Sequence, residues 1–202
     1  MKPTFWIAVL VTLPALAGVS MAQDEEPLVG DRPDFTEASS TVARHRLQIE
    51  SGYTYLYDRT PDEKLDEHVL PELLLRYGLS DDVEFRLGWA GYAFSRSEDL
   101  ATGTVATDEG GTDLDIGFKL QLTEQCCWRP ESSLITSVTA PVGHPAFSSD
   151  QVDAAVNLLY SWELNDWLSV GGSTGALWTA EEDDHFSQVH QSAVVGLGLT
   201  DR

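Results

Sequence analysis

The stretch from His45 to Tyr57 alternates between apolar and polar side chains. At a period of two, one side carries Leu47, Ile49, Tyr53, Tyr55 and Tyr57, and the other carries Arg46, Gln48, Glu50, Gly52 and Thr54. Successive side chains of a strand point to opposite faces, so the pattern predicts a strand with one apolar and one polar face. Its length is close to the roughly 9–11 residues of a tilted strand that crosses a membrane. Its tyrosines gather at one end, where an apolar wall would meet lipid headgroups.

The same alternation recurs along the chain and predicts eight strands. They cover residues 45–57, 68–79, 83–94, 112–122, 132–142, 152–164, 167–179 and 189–199. In the second strand, the apolar face is predicted to carry Val69, Leu73, Leu75, Tyr77 and Leu79. The strand at 167–179 is rich in glycine and does not reveal which side is apolar.

The connections between these strands alternate in length. The predicted short connections are 80–82 and 165–166, with an intermediate one at 123–130. The predicted long and polar loops are Asp58–Glu67, Ser95–Gly111, Gly143–Asp150 and Ala180–Gln188. Short periplasmic turns opposite long external loops are typical of outer-membrane barrels. We therefore predict an all-β fold, an antiparallel up-and-down transmembrane β-barrel. The alternative, a soluble barrel or sandwich, would place apolar side chains inside and polar ones outside.

The first 22 residues have the pattern of a secretory signal peptide. Lys2 precedes the short apolar stretch Phe5–Leu16, and Ser20-Met21-Ala22 is a small-x-small cleavage site before Gln23. A membrane anchor is the alternative, but the apolar stretch is short and contains Pro14. We predict a signal peptide at 1–22, an irregular periplasmic lead-in at 23–44, and the barrel at 45–202, placed in the cell outer membrane after export through the periplasm.

The net charge of the chain argues against one class of binding partner. The chain carries 12 Lys and Arg against 33 Asp and Glu, a formal net charge of −21. Nucleic-acid binding requires a basic face, so we predict no nucleic-acid partner. The expected partners are outer-membrane lipid and a small-molecule solute. The residues predicted to line the lumen are Arg46, Glu50, Glu72, Arg76, Glu84, Arg86, Asp113, Asp115 and Lys119. They could filter a solute, or form a ladder of ion pairs that fills the interior.

Sites for catalysis or metal binding are weakly indicated. His185 and His190 would face opposite ways on a strand, and the acidic run at 181–184 is typical of a solvated loop. Cys126 and Cys127 are adjacent, which favours free thiols over a strained disulfide or a metal site. Neither a phosphate-binding loop nor an HExxH helix occurs, and the spacing of the Ser, His and Asp residues does not single out a catalytic triad. We predict no enzymatic activity, no cofactor and no metal.

Several motifs resemble one family of outer-membrane proteins. They are Asp31-Arg32-Pro33-Asp34-Phe35-Thr36-Glu37, Arg46-Leu47-Gln48-Ile49-Glu50-Ser51-Gly52-Tyr53, Leu70-Pro71-Glu72, Arg76-Tyr77-Gly78-Leu79 and Thr139-Ala140-Pro141-Val142-Gly143. Together they are similar to the "MetA-pathway of phenol degradation" family, often labelled simply transporter. The resemblance covers most of the chain after the signal peptide. It implies an outer-membrane barrel that passes small molecules, aromatic or hydrophobic ones included, but it identifies no functional residues.

Two function hypotheses follow. The first is a passive transporter or channel for small molecules, and the alternative is a non-conducting structural or adhesive barrel.

The turn signature Leu79-Ser80-Asp81 recurs at Leu122-Thr123-Glu124, Leu164-Asn165-Asp166 and Leu199-Thr200-Asp201. In the first three copies another strand follows, and members of the family generally run longer. We therefore expect this sequence to be a fragment or early stop of a barrel with at least ten strands, with a closed eight-stranded barrel as the alternative.

Overall fold

A computed structural model of the chain describes residues 29–31, 36–181 and 184–199. These residues form ten antiparallel strands in one strongly curled, half-barrel sheet. The strands are β1 (Leu47–Arg59), β2 (Glu63–Gly78), β3 (Val83–Trp89), β4 (Tyr92–Asp99), β5 (Val105–Gly111), β6 (Leu114–Thr123), β7 (Glu131–Ala140), β8 (Asp153–Asn165), β9 (Leu168–Glu181) and β10 (Asp184–Leu197). The predicted all-β antiparallel class is confirmed. Within the described ranges, no helix has the length and hydrophobicity needed to cross a membrane.

Nine of the ten strands overlap the eight predicted ones, because the predicted strand 83–94 is divided into β3 and β4, and β5 lies within the predicted loop Ser95–Gly111. β3 and β4 run in the same direction against β2 and are separated by Ala90 and Gly91. β5 and β6 are separated by Thr112 and Asp113 in the same way, and the two interruptions lie beside each other. Gly91 has a φ of +114°, which a residue with a side chain rarely adopts. The break therefore follows from local backbone geometry that period-two alternation does not reveal.

A bulge in β2 at the same level corrects the predicted face of Val69. Gly52 of β1 pairs with Glu72, whereas Thr54 pairs with Val69, so Leu70 and Pro71 together oppose one residue of β1. Proline has no N–H to donate to a ladder and is found at bulges. The extra residue reverses the alternation, and Val69 lies opposite Ala93, which is buried. Val69 therefore faces away from the side that carries Leu73, Leu75 and Tyr77.

Three of the four predicted long loops are mostly strand. The β1–β2 turn contains only residues 60–62, the β4–β5 turn contains residues 100–104, and β9 and β10 continue to Glu181 and Asp184. Only the loop at 141–152 is irregular throughout. Polar and acidic composition led to the loop prediction, but long hairpins that project into water carry polar residues on both faces. The extra length still falls at one end of the sheet, here called the long end. The opposite short end has connections at 79–82, 124–130 and 166–167.

The two faces of the sheet differ in chemistry. We call the face that carries Arg76, Glu84, Arg86 and Lys119 the inner face, and these four side chains are buried. The outer face exposes large apolar side chains on several strands, among them Ile49, Tyr92, Phe118, Leu158 and Val195. In the described part of the chain the buried hydrophobic residues are Val42, Leu74, Ala93, Ile135 and Leu159.

The edges of the sheet are β1 and β10. β1 pairs with β2, β10 pairs with β9, and no ladder joins β1 to β10 among the described residues. A closed eight-stranded barrel would need that ladder, so the described sheet is an open half-barrel.

Candidate functional site

The inner face carries a compact charged cluster near the short end of the sheet. In the register of β2 and β3, Arg76 lies directly opposite Arg86, and in that of β3 and β6, Glu84 lies opposite Lys119. Their exposed fractions are 1% for Arg76, 5% for Arg86 and 0% for both Glu84 and Lys119. Two arginines facing each other would repel strongly when withdrawn from water, so the arrangement needs carboxylates close by.

The central carboxylate belongs to Asp31, which precedes the first strand. Its Oδ2 atom lies 2.6 Å from a terminal guanidinium nitrogen of Arg86, 3.4 Å from one of Arg76, and 3.3 Å from Nζ of Lys119. We call Arg76, Arg86 and Lys119 the basic trio. The other carboxylate oxygen of Asp31 accepts the Ala38 N–H at 2.9 Å. One aspartate thus contacts three cations at their meeting point, and its single negative charge offsets one of their three positive charges.

Glu84 on β3 and Glu50 on β1 supply the further negative charges that neutralise the basic trio. Glu84 accepts two hydrogen bonds from the Arg76 guanidinium, at 2.7 and 2.9 Å, and one from Arg86 at 3.0 Å. It also accepts the backbone N–H of Val42 at 2.8 Å. Glu50 lies 3.3 Å from Arg76 and accepts the backbone N–H of Asp31 at 3.0 Å. Such charge-assisted bonds offset the desolvation of the buried charges.

The electrostatic surroundings keep Asp31 ionised. Burial alone would raise the pKa of its carboxyl, because a charged group loses its hydration. The positive charges of Lys119, Arg86 and Arg76 act in the opposite direction and prevail, so the pKa of Asp31 lies below its usual value. Asp31 is therefore a permanent anion at neutral pH.

Residues 29–31 and 36–44, here called the inner segment, extend across the inner face from this cluster. Thr36 donates a hydrogen bond to Ser192 on β10 at 2.7 Å, and Ser39 donates one to Glu131 on β7 at 2.6 Å. Thr41 donates to Gln121 on β6 at 3.1 Å. Gly78 has no side chain where the carbonyl oxygens of Val42 and Ala43 pass, and a Cβ there would lie 2.4 and 2.2 Å from them. Side-chain hydrogen bonds thus hold the inner segment against strands that are far apart in sequence.

The structure brings five of the nine predicted lumen residues into this cluster, namely Glu50, Arg76, Glu84, Arg86 and Lys119. The other four lie outside the cluster. Glu72 and Asp115 occupy the inner face further toward the long end, where Thr139 donates a hydrogen bond to Asp115 at 3.4 Å. Arg46 is exposed just before β1. Asp113 lies in the break between β5 and β6, where it accepts the Gly143 N–H at 2.8 Å.

Period-two analysis missed two members of the cluster, Asp31 and Glu37. Glu37 forms a 2.6 Å ion pair with Arg86. Both precede the first strand, in a stretch without alternation, and so gave no signal of facing inward. The nine predicted lumen residues comprise five carboxylates and four cations, so their charge balance did not indicate that further anions would come from outside the sheet.

The basic trio can hold a carboxylate, as it holds that of Asp31, and the inner segment lies across the inner face. Among the described residues, no group of three or more histidine, cysteine, aspartate or glutamate side chains is arranged to hold a metal ion. Apart from the buried side chain of Val42, the contacts given above for the inner segment are polar, and within the described ranges its only backbone bridge to the sheet joins Arg44 to Gly78. The segment could therefore move without separating any pair of strands.

Comparison with known proteins identifies the family. The model of the family described as "Putative MetA-pathway of phenol degradation" matches residues 30–202. The match therefore includes Asp31, residues 36–44 and all ten strands of the described sheet. No curated protein and no solved structure matches the chain. The family match covers most of the sequence and confirms the resemblance seen in its motifs, so the chain belongs to the MetA-pathway of phenol degradation family.

Proposed function

We propose that this chain forms the wall of an outer-membrane β-barrel that passes small molecules passively. The observation that carries the proposal is the inverted polarity of the sheet. The basic trio and Glu84 are buried on the inner face, whereas Phe118, Leu158 and similar side chains are exposed on the outer face. Lipid favours an apolar outer face, and a charged residue there would cost about 2–4 kcal/mol for Arg or Lys near the bilayer midplane.

Aromatic residues near both ends of the sheet support a membrane setting. Tyr53, Tyr55 and Tyr57 are exposed at the long end, and Trp128 and Trp167 are exposed at the short end. Such girdles are typical of outer-membrane barrels, where amphipathic rings lie at headgroup level.

The spacing of these girdles fits a bilayer. Trp167, in the turn before β9 at the short end, and Trp178, exposed within β9 toward the long end, are 11 residues apart. At about 3.3 Å per residue this is roughly 36 Å along the strand. A strand tilt of about 40° reduces it to about 28 Å of height, close to the apolar band of about 25 Å in such barrels.

The solute is proposed from the polarity of the interior and the family description. A polar inner face can hold water and admit small solutes, and the family name refers to phenol degradation. We propose small molecules, aromatic or hydrophobic ones included, as the transported class, and outer-membrane lipid as the surrounding partner. In this proposal the N-terminal 22 residues direct export, and the barrel itself has neither enzymatic activity nor a cofactor.

One observation favours the alternative of a non-conducting barrel. The inner segment crosses the inner face and contacts strands from β1 to β10. A segment fixed in this position would obstruct passage, leaving a structural or adhesive role.

Conductance across a planar lipid bilayer separates the two functions. The protein would be reconstituted from detergent, and current measured for the wild type and for variants with a weakened inner segment. A transporter should conduct as wild type or after the segment is weakened, and liposomes containing it should swell in sugars, amino acids or phenols faster than protein-free liposomes. Absence of current and swelling in all of these proteins would favour the non-conducting barrel.

A further inference from the structure

We propose that the basic trio is a binding site for small monocarboxylate anions. In this structure the carboxylate of Asp31, which is part of the same chain, occupies the position of such a ligand. The inference deepens the proposed function, on which it rests, by naming a class of solute that the inner face would recognise. Three cations from β2, β3 and β6 converge on one oxygen of Asp31.

The geometry of the trio is that of a built anion site. The side-chain exposures are 2% for Arg76, 6% for Arg86 and 0% for Lys119, and that of the Asp31 carboxylate they surround is 0%. All three cations belong to neighbouring strands of a continuous sheet, so their backbone positions are set by strand pairing and not by contacts with Asp31. Buried guanidinium groups bind carboxylates through short, directional hydrogen bonds.

Charge balance defines the ligand class. The strands of the sheet contribute three positive charges from the basic trio and two negative charges from Glu50 and Glu84, which gives a net charge of +1. The inner segment contributes Asp31 and Glu37. Without the inner segment, the strands keep one unit of positive charge at this site, which a bound monoanion would neutralise. Glu50 and Glu84 line the same space and would repel phosphate or another multiply charged anion.

The attachment of Asp31 makes exchange possible. Asp31 belongs to the irregular inner segment, whose described contacts with the sheet are mostly side-chain hydrogen bonds and ion pairs. A carboxylate solute that reaches the trio competes with Asp31 for the same three partners. Its binding removes the central contact of the inner segment, so recognition of the solute and release of the segment are linked by competition.

Rescue of an Asp31→Ala variant by acetate tests this site without any measurement of transport. Thermal unfolding would be followed in detergent at constant ionic strength, with sodium acetate replacing sodium chloride. Asp31→Ala should unfold at a lower temperature than wild type, and acetate should raise its midpoint in a saturable manner. At about ten times the Kd of acetate, the folding equilibrium should shift by a factor of about 11.

Asp99→Ala is the matched control. Asp99 accepts two backbone N–H groups, both at 2.9 Å, in an exposed turn that contains no cation. Its loss should also destabilise the protein, but acetate should not restore it. Should Asp31→Ala fail to fold in either salt, Asp31→Ser replaces it, because a hydroxyl leaves room for acetate and can still accept the Ala38 N–H.

Identical midpoints in acetate and chloride for the Asp31 variant would overturn the proposal. Equal acetate stabilisation of Asp31→Ala and Asp99→Ala would also overturn it, because that is a general salt effect. Absence of conductance in the wild type and in the variants with a weakened inner segment would defeat the transporter function, whereas the acetate result concerns only the site. The two failures are therefore distinguishable.

Discussion

At the scale of single residues, the cluster is a set of buried charges that are stable only together. Arg76 and Arg86 face each other across two strands, and Asp31 and Glu84 lie between them. Removing one member of such a set leaves an uncompensated charge that cannot reach water. Each member therefore contributes more to stability than a surface ion pair does.

Replacing Arg76 by alanine tests this dependence. We expect Arg76→Ala to lower the free energy of unfolding by about 3–5 kcal/mol, because Glu84 loses its principal partner while it remains buried. The control is Arg96→Ala, whose side chain is 51% exposed and lies 3.8 Å from Glu98. That exposed pair is worth about 0–1 kcal/mol. Urea unfolding in detergent measures the free energy of unfolding of both variants. Equal losses would show that Arg76 contributes no more to stability than a residue of an exposed ion pair.

The ionisation of Asp31 predicts a specific dependence on pH. The positively charged trio holds the pKa of Asp31, despite its burial, below the ordinary value of 3.8. The stabilisation it provides is therefore complete above that pH and is lost as the pH falls through the lowered pKa. The ionisable groups around it are Arg76, Arg86, Lys119, Glu37, Glu50 and Glu84.

Comparison with Asp31→Asn isolates this contribution, since asparagine imitates the protonated carboxyl and the other groups are common to both proteins. The difference in melting temperature between wild type and Asp31→Asn should be constant from pH 5 to 8 and should shrink below about pH 4. A difference that does not change between pH 3 and 7 would contradict an ionised Asp31 in the trio.

At the scale of the elements, the inner segment and the strands fit closely at Gly78. An added Cβ at Gly78 would lie 2.2 Å from the Ala43 carbonyl oxygen, closer than real contacts allow. At Gly88, on the inner face of the neighbouring strand β3, a Cβ would lie 3.4 Å from the Cβ of Asp115, an ordinary contact. The same substitution should therefore have different effects at these two positions.

Gly78→Ala should displace the inner segment and cost about 1–3 kcal/mol, the usual range for overpacking. Gly88→Ala should change stability by no more than about 0.5 kcal/mol. Chemical unfolding gives both values, and proteolysis of the native proteins reports whether the segment has become accessible. A segment that stays protected in Gly78→Ala would contradict the close contact at this position.

Sequence alternation predicts much of the sheet and little of the segment inside it. The apolar faces of β1, β6 and β8 follow a period of two from end to end, so their orientation could be predicted. Pro71 and Gly91 interrupt the alternation locally, and the reversed face of Val69 follows from that bulge. The position of Asp31 depends on contacts with residues 45 to 88 positions later, which no local pattern reveals.

At the scale of the whole molecule, the two ends of the sheet should lie on opposite sides of the membrane. The long hairpins are predicted to face outward and the short turns inward to the periplasm. Single cysteines at Asp62, Asp99 or Ser149 should react with an impermeant thiol reagent on intact cells. Cysteines at Asp81 or Asp166 should not. All five positions are exposed in the structure, so reactivity reports sidedness.

The labelling needs a background without the native thiols, because Cys126 and Cys127 are both exposed at the short end. Replacing both by serine provides that background. Labelling of permeabilised cells is the control for folding and reagent access. Reaction at the short end but not at the long end of intact cells would reverse the proposed orientation.

The central claim is that the outer face of the sheet contacts lipid, and spin labels along β8 test it most directly. Val156 and Leu158 lie on the outer face, whereas Ala155 and Asn157 lie on the inner face. Single labels at these positions, in reconstituted liposomes, would be exposed to oxygen, which concentrates in lipid, and to a water-soluble nickel complex. We predict that oxygen collisions dominate at 156 and 158 and not at 155 and 157. Dominant nickel collisions at 156 and 158 would show that this face contacts water and would contradict the membrane barrel.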